Sequence, residues 1–105
     1  MFQIDFYETS SGRSPVADWF DELNAGNLND IELLEVIKRK IGWLEEYGLS
    51  LGVNHIKCLT KGRKLEYDIW ELKIPFNNNT YRIFLARLKI KFLFYCIKFK
   101  RKGKK

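Results

Sequence analysis

At the start of the chain Phe2, Ile4 and Phe6 alternate with Gln3, Asp5 and Tyr7, a period of two that predicts a short, half-buried strand. Thr9-Ser10-Ser11-Gly12 closes it. Ser14 followed by Pro15 is a helix start, because the serine oxygen accepts from an orphan N–H and the proline ring already holds helical φ. Val16, Trp19, Phe20 and Leu23 supply that helix with an apolar stripe, and Gly26 stops it. Asn29 or Asp30 then caps a longer helix, with Glu32 completing a capping box if Asn29 is the cap. Ile31, Leu34, Ile37, Ile41 and Leu44 recur at three- and four-residue spacing, so this helix buries one face as far as Tyr47 and ends at Gly48. Its glutamates face solvent.

Two helices joined by a short loop form an αα-hairpin. Leu49 to Glu66 reads as a basic loop with a short strand around Ile56 to Leu59. From Tyr67 the period returns to two: Trp70, Leu72 and Ile74 point one way, Ile69, Glu71 and Lys73 the other, and Pro75 ends the strand. Asn77-Asn78-Asn79 is turn chemistry, since asparagine tolerates positive φ. Thr80 to Arg87, a tight connection near Leu88-Lys89, and Ile90 to Phe99 complete a three-stranded antiparallel meander. The pattern predicts one α+β domain over residues 1–105: an N-terminal strand, the αα-hairpin, then the meander, with the helices packed on one sheet face. The other face is left to carry function.

Composition agrees with a single core in 105 residues, 46% of them hydrophobic and 15% aromatic. No apolar run reaches the roughly 20 residues that span a bilayer. Met1-Phe2-Gln3-Ile4-Asp5 shows no basic leader, so the cytoplasm is the expected location, with no membrane partner. Cys58 and Cys96 are read as free thiols, because one histidine, His55, is too few for a zinc site and two distant cysteines make no disulfide framework.

Charge changes the picture more. The formal net charge of +6 divides into four Lys/Arg against ten Asp/Glu in residues 1–50, and fifteen against three in 51–105. A basic second half attracts phosphates, or an acidic partner protein. The chain lacks a Gly-rich phosphate loop, a histidine cluster for a metal and a serine-histidine-acid set. Asp18, Asp21, Glu22, Glu45 and Glu46 read as solvated helix faces. Glu71, inside a strand, either pairs with Arg82 across the hairpin or acts as an acid or base, and pairing is the favoured reading. Arg82 itself either clamps a phosphate from rigid sheet or merely solubilises it, two readings evenly matched. Tyr67, Tyr81, Tyr95 and Phe99 lie among the cations, an arrangement that single-stranded RNA binding uses, whereas Phe84, Phe92 and Phe94 are expected in the core.

The order β-α-α-β-β-β, with Ile69-Trp70-Glu71-Leu72-Lys73, Tyr81-Arg82-Ile83-Phe84 and a final apolar strand entering Lys98-Phe99-Lys100-Arg101-Lys102, resembles the HigB branch of the RelE/ParE toxin superfamily, often encoded by phages and prophages. The resemblance covers nearly the whole chain. It implies a toxin of a type II toxin-antitoxin system, a metal- and cofactor-independent endoribonuclease that cuts messenger RNA on the ribosome. A small helix-turn-helix antitoxin would neutralise it. Matched to the family's motifs, Arg82 is the strand arginine that meets the phosphate, and Lys57 and Lys100 serve proton transfer or charge stabilisation. Tyr95 or Tyr81 stacks on or orients a base. Lys61, Arg63, Lys64, Lys98, Arg101 and Lys102 complete the implied RNA-binding set. Two positions depart from the pattern: Cys96 stands where many relatives have histidine, and the helix that often follows the basic pair is absent. The alternatives are a ParE-like inhibitor of DNA gyrase and a non-catalytic RNA-binding regulatory module.

Overall fold

A computed structural model describes residues 3–63, 67–88 and 93–102, with side chains through Arg87. The elements run β1 (Gln3–Phe6), α1 (Pro15–Asn24), α2 (Leu28–Tyr47), a 3-10 turn (Gly48–Leu51), β2 (Ile56–Cys58), β3 (Tyr67–Phe76), β4 (Asn79–Leu88) and β5 (Leu93–Lys102). The fold is α+β, with both helices on one side of the sheet.

Local chemistry explains both helix starts. Ser14 Oγ accepts from the Ala17 N–H at 3.4 Å, and Pro15 occupies the first turn. In α2 the cap is Asn27, two residues before the earlier expected candidate. Its Oδ1 accepts from the Asp30 N–H at 2.9 Å, and the Asp30 carboxylate accepts from the Asn27 N–H at 3.4 Å. Aspartate takes the third-position role that Glu32 was expected to fill, so the box sits upstream and the helix gains two residues at its start. Gly48, at φ 56°, ends α2 where expected.

The sheet holds five strands in the order β1-β5-β4-β3-β2, so the N-terminal strand and the short strand at Ile56 join the expected three-stranded meander as its outer members. β1 lies parallel to β5, with Gln3 opposite Leu93, while every other pairing is antiparallel. β1 and β2 are the edges, short and each held by one neighbour. β3 and β4 pair over their whole length around Asn77 and Asn78, at φ 48° and 63°. Two successive positive φ values match the right-handed twist of a hairpin.

β3 runs through Pro75 to Phe76 instead of stopping. The Lys73 N–H bonds the His55 carbonyl on the β2 side, and the Ile69 N–H bonds Thr60 Oγ1 there too. By alternation the nitrogen of Pro75 faces that same side, beyond the end of β2, so its missing N–H takes nothing from the β4 ladder. β5 likewise runs past Phe99 to Lys102, which adds Lys100, Arg101 and Lys102 to the sheet. Leu88, expected in the tight connection, ends β4, while Lys89 and the expected start of the last strand at Ile90 lie outside the described residues.

Between helices and sheet sits the core: Val16, Trp19 and Leu23 from α1, Leu33, Leu34, Ile37 and Leu44 from α2, and Ile56, Leu72, Ile74, Tyr81, Ile83 and Leu85 from the strands. Ile31 and Ile41 are half-buried. The four glutamates of α2 are exposed, as the helical period predicts.

Candidate functional site on the open sheet face

Strand alternation divides the sheet. Leu72, Ile74, Ile83 and Leu85 go to the helices, which leaves Ile69, Glu71, Lys73, Arg82, Phe84 and Ala86 on the opposite face. Cross-strand register then builds rows. Lys57 on β2 is the partner of Glu71, Glu71 of Phe84, and Phe84 of the Lys98 position. In the next row Lys73 is the partner of Arg82, and Arg82 of the Lys100 position.

Arg82 and Glu71 meet diagonally between these rows. Nε lies 3.3 Å from Oε2, with the side chains 21% and 12% exposed. The pairing expected of Glu71 is therefore present, and Arg82 is neither a free clamp nor a loosely solvated edge cation. Its guanidinium is oriented by a half-buried carboxylate between two strands. Lys57, exposed, stands on the other side of Glu71. Lys57 and Arg82, which are 25 positions apart in sequence, thus flank one carboxylate.

Other expected members are dispersed. Tyr81 is a correction: it is 8% exposed, and its ring stacks on Trp19 at 6.0 Å with an interplanar angle of 29°. It belongs to the core because it shares parity with Ile83 and Leu85, so it offers no surface to RNA. Phe84 is also reassigned, half-buried on the open face and not in the core. Tyr67, 45% exposed at the start of β3, has the parity of Glu71 and is the described tyrosine available on that face. The Tyr95 position pairs with Ala86 on one side and Asp5 on the other, Arg101 pairs with Tyr81, and Lys102 with Thr80. Lys64, Phe92 and the side chains of Phe94, Tyr95 and β5 lie outside those described.

Lys61 and Arg63 do not join the open face. They follow β2 and, with Lys57, line a cavity of about 610 Å³ between the Leu49–Val53 segment and the start of β3. Cys58 lines it too and is a half-buried free thiol.

The one histidine is engaged elsewhere. His55 Nδ1 lies 2.8 Å from Lys40 Nζ, which also donates to the Lys73 carbonyl at 3.2 Å, and the edge of Trp43 meets the imidazole at 6.1 Å. Sequence reasoning passed over Lys40, although it falls between Ile37 and Leu44 at three- and four-residue steps, on the buried stripe. Lys40 is 9% exposed, and burial lowers its pKa from the ordinary 10.5. Among the described residues no group of three or more His, Cys, Asp or Glu is placed to hold a metal ion, and no helix is long and apolar enough to cross a membrane.

No protein-family model matches the chain, and no curated protein matches it either.

Proposed function

We propose that the protein is a toxin of a type II toxin-antitoxin system, of the HigB-like kind, that cleaves messenger RNA on the ribosome through its open sheet face. One observation carries the reading: Arg82 and Lys57 flank Glu71 on a face whose next strand brings Lys98 and Lys100 into register. Cleavage requires the ribose 2′-oxygen to attack the adjacent phosphorus, forming the P–O2′ bond as the P–O5′ bond breaks. A base takes the 2′-hydroxyl proton, cations stabilise the charge gathering on the phosphoryl oxygens, and an acid returns a proton to the 5′-oxygen.

Arg82 is assigned to the phosphate. Its Nε meets Glu71, while most guanidinium N–H donors are on the terminal nitrogens, a planar fork suited to a phosphoryl group. Glu71 is the carboxylate in reach of the 2′-hydroxyl, and Lys57 and Lys100 supply the ammonium groups for charge stabilisation and for the leaving oxygen. Tyr67 offers a ring to a neighbouring base. On this reading the protein acts in the cytoplasm, and its partners are the ribosome, messenger RNA and a small helix-turn-helix antitoxin.

The withdrawal of His55 to the Lys40 cluster favours a second reading, an RNA-binding face that holds RNA without cutting it. Mapping of RNA 5′ ends after expression in bacteria separates the two. Cleavage requires new 5′ ends within translated messages that vanish with Arg82→Ala. Intact messages with arrested growth and RNA retained on the purified protein would favour the binding module. DNA damage with intact messages would turn the reading to gyrase.

A further inference from the structure

The cavity beside β2 does not include the Glu71–Arg82 pair, although Lys57 on the strand edge belongs to both. This cavity is an open cleft of about 610 Å³, a volume within the range of clefts that take a small organic ligand. Leu49, Ile56 and Trp70 give it an apolar wall with one broad flat ring, and Val53, 76% exposed, stands at its mouth. Lys57 and Lys61, both exposed, add two ammonium groups at the lining, and Arg63 adds a guanidinium. A flat ring beside paired cations suits a ligand with a planar heterocycle at one end and more than one negative charge at the other. Asp68, 16% exposed and 3.6 Å from Arg87, also lines the cavity. Its carboxylate disfavours a simple anion lodged inside, and accepts from a ligand that carries N–H donors.

We propose that this cavity binds a single nucleotide unit, with the base against Trp70 and the phosphate at Lys57 and Lys61. The unit is either a free nucleotide or one residue of single-stranded RNA. The proposal is independent of cleavage, since a pure binding module would use the same cavity.

Cys58 gives a local readout, because its half-buried thiol lines the cavity. The full-length protein is treated with a thiol-alkylating reagent, and peptide mass mapping reads Cys58 apart from Cys96. Nucleoside monophosphates, inorganic phosphate and a short single-stranded RNA are compared as protectants. A nucleotide or the RNA should slow Cys58 alkylation several-fold, with inorganic phosphate giving little protection. Protection by monophosphates at concentrations similar to those of the RNA marks the free nucleotide as the source, and protection by RNA at far lower concentration marks the strand. Lys61→Ala should weaken the protecting affinity on the order of ten-fold, the loss of one charge-assisted phosphate contact, and Lys61→Arg should restore it. Saturable RNA binding that leaves Cys58 alkylation unchanged, or no protection by any nucleotide at millimolar concentration, would overturn the proposal.

Discussion

Arg82 and Glu71 approach diagonally across the β3–β4 ladder, Nε to Oε2 at 3.3 Å, although their direct cross-strand partners are Lys73 and Phe84. The offset places one guanidinium and one carboxylate at the centre of the open face, with Lys57 beyond the carboxylate on β2. Neither side chain is well hydrated, so each depends on the other to offset its lost solvation.

Removing either member should therefore cost more than a surface ion pair is worth. Arg82→Ala and Glu71→Gln are each expected to lower stability by about 1–3 kcal/mol. The double variant should fall short of their sum by ~1 kcal/mol, because it leaves no charge stranded. Urea denaturation of the four proteins measures the cycle. Additive losses would mean that the pair is not coupled. In a cleavage assay Glu71→Gln should retain RNA binding and lose turnover, whereas Arg82→Ala should lose both.

Tyr81 tests the division between core and surface. Tyr81→Ala should cost roughly 3 kcal/mol or more by opening a cavity against Trp19. Tyr81→Phe should keep both stability and RNA binding. An alanine variant of normal stability that no longer bound RNA would return Tyr81 to the open face.

Lys40 predicts a pH dependence. Burial lowers its folded pKa below the ordinary 10.5, so the unfolded chain holds this proton more tightly than the folded one. As pH rises from the lowered folded value toward 10.5, the folded state sheds the proton first and gains stability. Lys40→Met cannot titrate. The stability of the wild type relative to Lys40→Met should be flat below that window and rise through it, as read from urea midpoints across a pH series. A constant difference at alkaline pH would show that Lys40 keeps its ordinary affinity for protons.

Asn78, at φ 63°, occupies a left-handed position in the hairpin turn. Glycine reaches that conformation without a Cβ conflict, so Asn78→Gly should add about 0.5 kcal/mol, and Asn78→Val should subtract 1–2 kcal/mol on the order-of-magnitude scale of such strain. Thermal unfolding of both variants checks the sign. An equal response to glycine and valine would be inconsistent with the turn.

What the sequence determined by itself is what local chemistry decides. Ser14 and Pro15 start a helix wherever the chain goes, Gly48 stops one, and two consecutive asparagines accept positive φ. Alternation from Ile69 to Ile74 separates two faces because the strand period is two. It also held the answer for Tyr81, whose parity follows Ile83 and Leu85, although an aromatic among cations invited the opposite reading. Asn27 was missed because aspartate is a rarer partner in a capping box than glutamate. Tertiary structure alone decided what depends on distant segments meeting. The pairing of Gln3 with Leu93 brings the two ends of the chain together in parallel, and no local periodicity encodes such a contact. Register between β2, β3 and β4 decided that Lys57 and Arg82 would share Glu71. The packing of α2 over β3 turned His55 toward Lys40, so the one imidazole was withdrawn from the face where the cations gather.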